Sequence, residues 1–303
     1  MSELDTILYR RHALTIGRFR CRPNHPGFED SGPIERHIFV FPHSSVFITH
    51  AGRRPVVADR NAVMFYNRNQ VYRRGKISPR GDHSYWFSVR PQAATETIAR
   101  WDPAVADRPD RPFGFTHGPC DPRDYLHQGL LVDYLLREVD PDPLWVEETA
   151  LRILHSAVAA AYRARGRLPP RRVSASTKQA HADLTQAVKA LLACRFNEPL
   201  TLEQIAREVA SSPFHLSRVF RRHSGFTLHA YLNQLRLRVA LDRLGESGLE
   251  LTDLALDLGY SSHSHFTCAF RRLFGVAPSV LRRSPSAFSR RTLSRRLATE
   301  TPL

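Results

Sequence analysis

The feature that most constrains this chain is a stretch that occurs twice. SSPFHLSRVFRRHSG runs from Ser211 to Gly225, and SSHSHFTCAFRRLFG runs from Ser261 to Gly275. At an offset of 50, Ser211, Ser212, His215, Phe220, Arg221, Arg222 and Gly225 meet identical residues. Upstream the offset becomes 49, and Leu202, Ile205, Ala206 and Val209 meet Leu251, Leu254, Ala255 and Leu258. The slip falls at Ala210–Ser212 in one copy and Gly259–Ser262 in the other. A repeat that accepts an insertion only between two helical patterns is a repeated helix-turn-helix unit.

Local signals agree. Thr201 to Gln204 is a capping-box pattern, whereas Glu250 and Asp253 give the second unit a less well specified start. Ser212 and Ser262 suit N-caps, Pro213 suits the first helical position, and Gly225 and Gly275 suit C-terminal caps. In the first unit's second helix, Leu216, Val219, Phe220 and His223 fall on one side, with Phe214, Ser217, Arg218 and Arg221 on the other. In its repeat, Phe266, Ala269, Phe270 and Leu273 oppose Ser264, Thr267, Cys268 and Arg271. The outer faces are small and polar at one end and basic at the other, which suits base edges and phosphates in a major groove. Between the units, Leu228 to Leu244 contains no Pro or Gly. At ~1.5 Å per residue such a helix spans ~25 Å, against the ~34 Å between successive major grooves on one DNA face. One chain is thereby fitted to read two adjacent groove segments.

Charge points the same way. From Arg171 onward 20 Lys and Arg stand against 10 Asp and Glu, so this region carries +10 of the chain's +15. Such an excess fits a polyanionic partner. Upstream, IFVF, SVFITH, PVVA, AVMFYN, QVYR and SYWFSV are short strand-like runs separated by turn chemistry. Two helical patterns follow, with stripes Leu126, Leu130, Leu131, Leu135 and Ala150, Leu151, Leu154, Val158, Ala161. RARGRLPPRRVSASTK, from Arg163 to Lys178, then reads as an exposed connection.

The segments LEQIAREVASSPFHLSRVFRRHSG, HAYLNQLRLRVAL and LTDLALDLGYSSHSHFTCAFRRLFGVAPSVLRR resemble the DNA-binding domain of the AraC/XylS family of transcription regulators. The resemblance spans residues 181–283 and implies binding to double-stranded promoter DNA, usually activation through RNA polymerase, often under a small-molecule effector. Family base contacts, carried over by position, fall on Phe214, Ser217 and Arg218, and on His263, Ser264, His265, Thr267 and Cys268. Arginine is frequent at the place of Cys268, and a thiol cannot contact guanine in bidentate fashion, so the second unit is expected to read fewer bases. Backbone contacts are expected from His215, Arg221, Arg222, Arg271 and Arg272. The third-position histidines, His215 and His265, are read as capping groups, with phosphate donation as the other role.

The fold expected is α+β in two domains. Residues 1–165 would form a cupin-like β-barrel with dimerising helices, 166–180 a linker, 181–285 an all-α domain with two helix-turn-helix motifs joined by a long helix, and 286–303 a disordered basic tail. A homodimer follows from the stripes. No GxSxG, P-loop or GxGxxG occurs. The only HxH is His263–His265, and His37, His43, His50 and His83 lack ligand spacing. No catalytic residue, metal or cofactor is therefore expected. Ligand-binding residues are not readable, although Arg36, Tyr66, Arg68, Tyr72, Arg73, Tyr85 and Trp86 form an aromatic and cationic mixture. Cys21 and Cys120 are read as incidental thiols. No apolar run approaches a membrane span, MSELDTILYRRH has no leader-like apolar core, and a cytoplasmic, DNA-associated location is expected. A barrel-fold enzyme or adaptor tethered to a DNA-binding module is the alternative.

Overall fold

The computed structural model describes residues 4–11, 14–166, 175–246, 248–282 and 291–294. The chain is a two-domain α+β protein, with a sheet domain followed by a helical domain. All strand pairs are antiparallel. The larger sheet contains β1 (Asp5–Arg10), β2 (Leu14–Cys21), β3 (Ile38–Pro42), β6 (Ala62–Tyr66), β8 (Asp82–Val89) and β9 (His117–Pro119). Their order is β1-β2-β8-β3-β6-β9. The smaller sheet has the order β5-β4-β7, with β4 at Val46–His50, β5 at Val56–Ala58 and β7 at Tyr72–Lys76.

Alternation assigns the two faces of the large sheet. Val40, Met64 and Tyr66 pack with Val46, Ile48 and Tyr72 of the small sheet. Phe39, Phe41, Val63, Phe65 and Phe87 point the other way, into a core covered by helices. β6 is buried along its whole length because both its faces are covered. Gly17 is required where β2 pairs with β8, since a Cβ there would overlap the indole of its cross-strand partner Trp86. The indole lies across that gap and donates to Asp5 (2.9 Å).

The barrel expected from the strand pattern does not close. No ladder among the described residues joins the sheets, and the isolated bridge from Asp30 to Arg73 ties β7 only to the loop between β2 and β3. Instead α1 (Pro91–Ala99), α2 (Pro122–Arg137) and α3 (Pro143–Gly166) supply the second layer. This placement also corrects the expectation of dimerising stripes. Leu131, Leu135, Ala150, Leu154, Val158 and Ala161 are buried against the sheet of the same chain. Leu126 and Leu130 face the helical domain. Only Leu151 of the two stripes is exposed.

The helical domain contains α4 (Ala175–Cys194), α5 (Leu202–Glu208), α6 (Pro213–Ser224), α7 (Leu228–Arg243), α8 (Leu251–Asp257), α9 (His263–Phe274) and α10 (Pro278–Arg282). Helix α4 thus starts within the stretch read as linker, most of whose remainder, 167–174, lies outside the described residues. The described part of the tail, 291–294, is one helical turn. It is docked: Arg291 pairs with Asp142 (2.5 Å) and Leu293 packs on the helical core. The tail's other residues lie outside the described set.

Candidate nucleic-acid interface

Each helix start follows from its sequence. At α5, Thr201 accepts from the Gln204 amide (3.2 Å) and its own amide donates to the Gln204 side chain (2.8 Å). At α8, Glu250 provides no side-chain cap. Ser212 and Ser262 accept from the backbone amides of His215 (3.3 Å) and His265 (3.1 Å). The caps are therefore the serines, and the imidazoles of His215 and His265 have other neighbours. The His215 ring lies beside His181, and the His265 ring stands edge-on to Tyr260. Gly225 (φ 80°) and Gly275 (φ 77°) end α6 and α9 in the left-handed region, where glycine carries no Cβ penalty.

The inner faces pack as two cores that share α7. Leu216 and Phe220 join Val188, Ile205, Tyr231 and Leu235. Phe266, Phe270 and Phe274 join Leu254, Leu258, Leu237 and Ala240. The first half of α7 thus belongs to one unit and the second half to the other. Residues on the outer faces are accessible. Phe214 is 78% exposed. Arg218, Arg221, Arg222, His263, Ser264, His265, Cys268, Arg271 and Arg272 are exposed, while His215, Ser217 and Thr267 are half-buried. The Arg218 guanidinium lies 5.9 Å from the Phe214 ring centroid. The Thr267 hydroxyl approaches the His263 ring (3.4 Å), and Arg272 approaches Cys268 Sγ (4.0 Å).

Sequence reasoning missed a polar junction between the domains. Along α7, Tyr231 donates to Asp59 (2.5 Å). Arg238, fully buried, bonds the Asn61 side chain, the Gln234 side chain (2.9 Å) and the Cys120 carbonyl (2.7 Å). Asp242 accepts from Arg60 (2.7 Å) and Tyr125 (3.0 Å) and lies 3.2 Å from His43. Burial alone would raise the Asp242 carboxyl, but His43 and Arg60 hold it well below the usual range. Helix α4 adds an Asp183–Arg54 pair (2.7 Å) and a bond from the Val57 amide to Gln186 (2.8 Å). The only sequence signal was DRN at 59–61, which reads as a turn and gives no hint of its partners.

Two sizeable cavities occur among the described residues, and the larger borders this junction. One, about 480 Å³, lies in the sheet domain and is lined in part by Arg36, Tyr66, Tyr72, Arg74 and Trp86. The other, about 950 Å³, lies between the domains beside His43, Tyr85 and Asp242. Arg68 borders a smaller surface hollow, and Arg73 is exposed and paired with Glu29. Cys21 and Cys120 are buried, and burial raises both thiols. No group of three or more potential metal ligands occurs among the described residues, and no described helix is long and apolar enough to cross a membrane.

The C-terminal part of the chain is similar in sequence to known proteins. The family described as "Helix-turn-helix domain" matches residues 205–284. The HTH-type transcriptional regulator ArgR of Pseudomonas aeruginosa is 37% identical over 111 residues, covering 36% of this chain and 33% of ArgR. The chain therefore matches about a third of that relative's length. The regulatory protein SoxS of Escherichia coli strain K12 is 33% identical over 102 residues, covering 34% of this chain and 95% of SoxS. A solved transcriptional regulator from Chromobacterium violaceum with an AraC-type DNA-binding domain is 30% identical, covering 36% of this chain and 96% of that one, with a TM-score of 0.32.

Proposed function

The chain belongs to the AraC/XylS family of DNA-binding transcription regulators, and from that premise we propose that it is an effector-controlled activator whose sheet domain governs DNA reading through α7. The observation that carries this reading is that a single helix joins both helix-turn-helix cores and is also held by Asp59, Arg60 and Asn61 of the sheet domain. A change of shape in the sheet domain is thereby felt at the element that spaces the two recognition helices.

The effector site in this reading is the cavity in the sheet domain. Its walls combine an apolar majority, among them Ile38, Val40, Ile48, Met64 and Trp86, with charged groups, and the Tyr66 hydroxyl is one polar group there with no hydrogen bond seen among the described residues. Arg74 is already satisfied by Asp82 (2.8 Å) and Tyr72 (2.7 Å). A small, mainly apolar molecule with one hydrogen-bonding group fits that chemistry. Phe214, Ser217, Arg218, His263, Ser264, His265, Thr267 and Cys268 read bases, and His215, Arg221, Arg222, Arg271 and Arg272 hold the backbone. RNA polymerase is the partner for activation. A homodimer would use the exposed Leu136, Val139 and Leu144 at the α2–α3 turn, since the two stripes are covered.

The test pairs genome-wide mapping of bound sites with a thermal-shift ligand screen on the full chain. The reading expects a hit that loses affinity in Tyr66→Phe and changes DNA occupancy. A ligand that binds without altering DNA binding would remove effector control and leave DNA recognition standing.

A further inference from the structure

Three imidazoles meet on the seam where α4 packs against α6. The His181 ring centroid lies 5.5 Å from that of His215 and 5.6 Å from that of His223. His215 sits in the first turn of α6 and His223 two turns later, so His181 bridges them from the neighbouring helix. Arg218 and Arg222 stand beside them at the edge of the outer face. None of the five is ion-paired among the described residues, although α4's own Asp183 is near in sequence and is committed to Arg54. All three imidazoles are only half-buried. Five cationic or protonatable groups without a carboxylate partner form a site built for an anion.

We propose that His181, His215 and His223 form a proton-operated phosphate site for the DNA backbone flanking the first recognition helix. The inference rests on the DNA-binding reading and adds a contact from α4, outside the repeated units. Burial first, then His215, Arg218 and Arg222, keep His181 below the ordinary 6.5, and burial, then His181 and Arg222, do the same for His223. No charged group of α5 or α7, the other helices packed on α6, acts on either ring. At neutral pH both rings are therefore mostly uncharged in the unbound protein. A phosphate arriving beside them favours their charged forms, so binding takes up protons and tightens as pH falls. The second unit lacks the device: Leu273 stands where the first has His223.

The experiment is fluorescence anisotropy of the full chain on a duplex selected by the protein, from pH 8 to pH 6 at constant ionic strength. Wild-type protein is expected to bind roughly tenfold tighter at pH 6, the effect of about half a proton taken up on average across the two pH units. His181→Gln and His223→Gln should each remove most of that gain while leaving affinity at pH 8 within about twofold of wild type. His181→Lys, with a fixed charge, should bind at pH 8 about as tightly as wild type does at pH 6 and show a flattened profile. Melting curves at each pH separate these effects from misfolding. An unchanged pH profile in His181→Gln, or weaker binding by a folded His181→Lys, overturns the proposal. So does loss of the pH-dependent gain when inorganic phosphate replaces chloride at equal ionic strength, since the site would then serve a free anion. Absence of DNA binding at every pH would overturn the underlying DNA reading itself.

Discussion

At the scale of residues, Asp124 and two of the three arginines of α6 give separate tests. Asp124 is buried, one of its oxygens has no hydrogen-bond partner among the described residues, and burial pushes its carboxyl up to about 7. The folded state thus holds a proton that the unfolded chain releases near ~3.9. The stability this contributes is complete below that value and is lost as pH rises towards 7. Asp124→Asn should therefore be more stable than wild type at pH 8 by roughly 2–4 kcal/mol, at ~1.4 kcal/mol per pH unit, with the gap closing towards pH 4. Urea melts of both proteins read the difference. This difference cancels His50 and His127, which titrate at about 4, and His83 and His117, at about 3, all destabilising only in acid. Parallel stability profiles would show that Asp124 keeps its charge in the fold. On α6, Arg218→Ala should relax preference at one or two base pairs and cost ~1–3 kcal/mol on the selected site. Arg222→Ala should weaken selected and random DNA alike and lower the salt slope by about one. Selection on randomised duplexes decides, and the reverse pattern would mean that the reading face is rotated.

Elements show where sequence was sufficient and where it was not. The turn of each unit places one residue in the left-handed region, Ala210 at φ 49° and Gly259 at φ 77°. These are equivalent positions, so the first unit carries a strain that the second avoids. Ala210→Gly should raise the melting stability by about 0.5–1 kcal/mol, the relief of the Cβ exceeding the entropy cost. Gly259→Ala should be destabilising, because its Cβ would sit 2.8 Å from the Asn197 carbonyl. No gain in Ala210→Gly would mean that the turn relaxes in solution. Caps, helix faces and most strands were legible because a single segment determines each. The stripes on α2 and α3 announced covered faces, yet a stripe does not say whether its cover is another chain or its own sheet. Closure of the barrel was illegible for a related reason: it depends on which strand edges meet, and edges leave no mark in a strand's own residues. Strand β2 was overlooked because arginines interrupt LTIGRFRC, and β1 because DTILYR is a short run bounded by Asp5 and Arg10.

For the whole molecule, the junction at α7 decides whether two domains act as one. Its partners are more than 110 residues apart, from Cys120 with Arg238 to Asp59 with Tyr231, so no local pattern could reveal it. It is also polar. Buried ion pairs add little net stability over a well-packed apolar interface, but removing one member leaves the other charged and dry. That asymmetry suits a contact meant to open without unfolding either side. Asp242→Ala strands Arg60 and His43 and should cost the domain contact about 3–5 kcal/mol. The expected signs are a melt that splits into two stages and faster proteolysis between Arg163 and Lys178. An effector found for the sheet domain should then no longer change DNA affinity. Replacing the pair together, Arg60→Met with Asp242→Leu, should restore a single melt because no charge is left unpaired. If that apolar junction also restores the effector's influence on DNA, docking alone transmits the signal. If it restores the melt but leaves DNA affinity fixed, transmission depends on the charged contact being able to open, and α7 is the moving part.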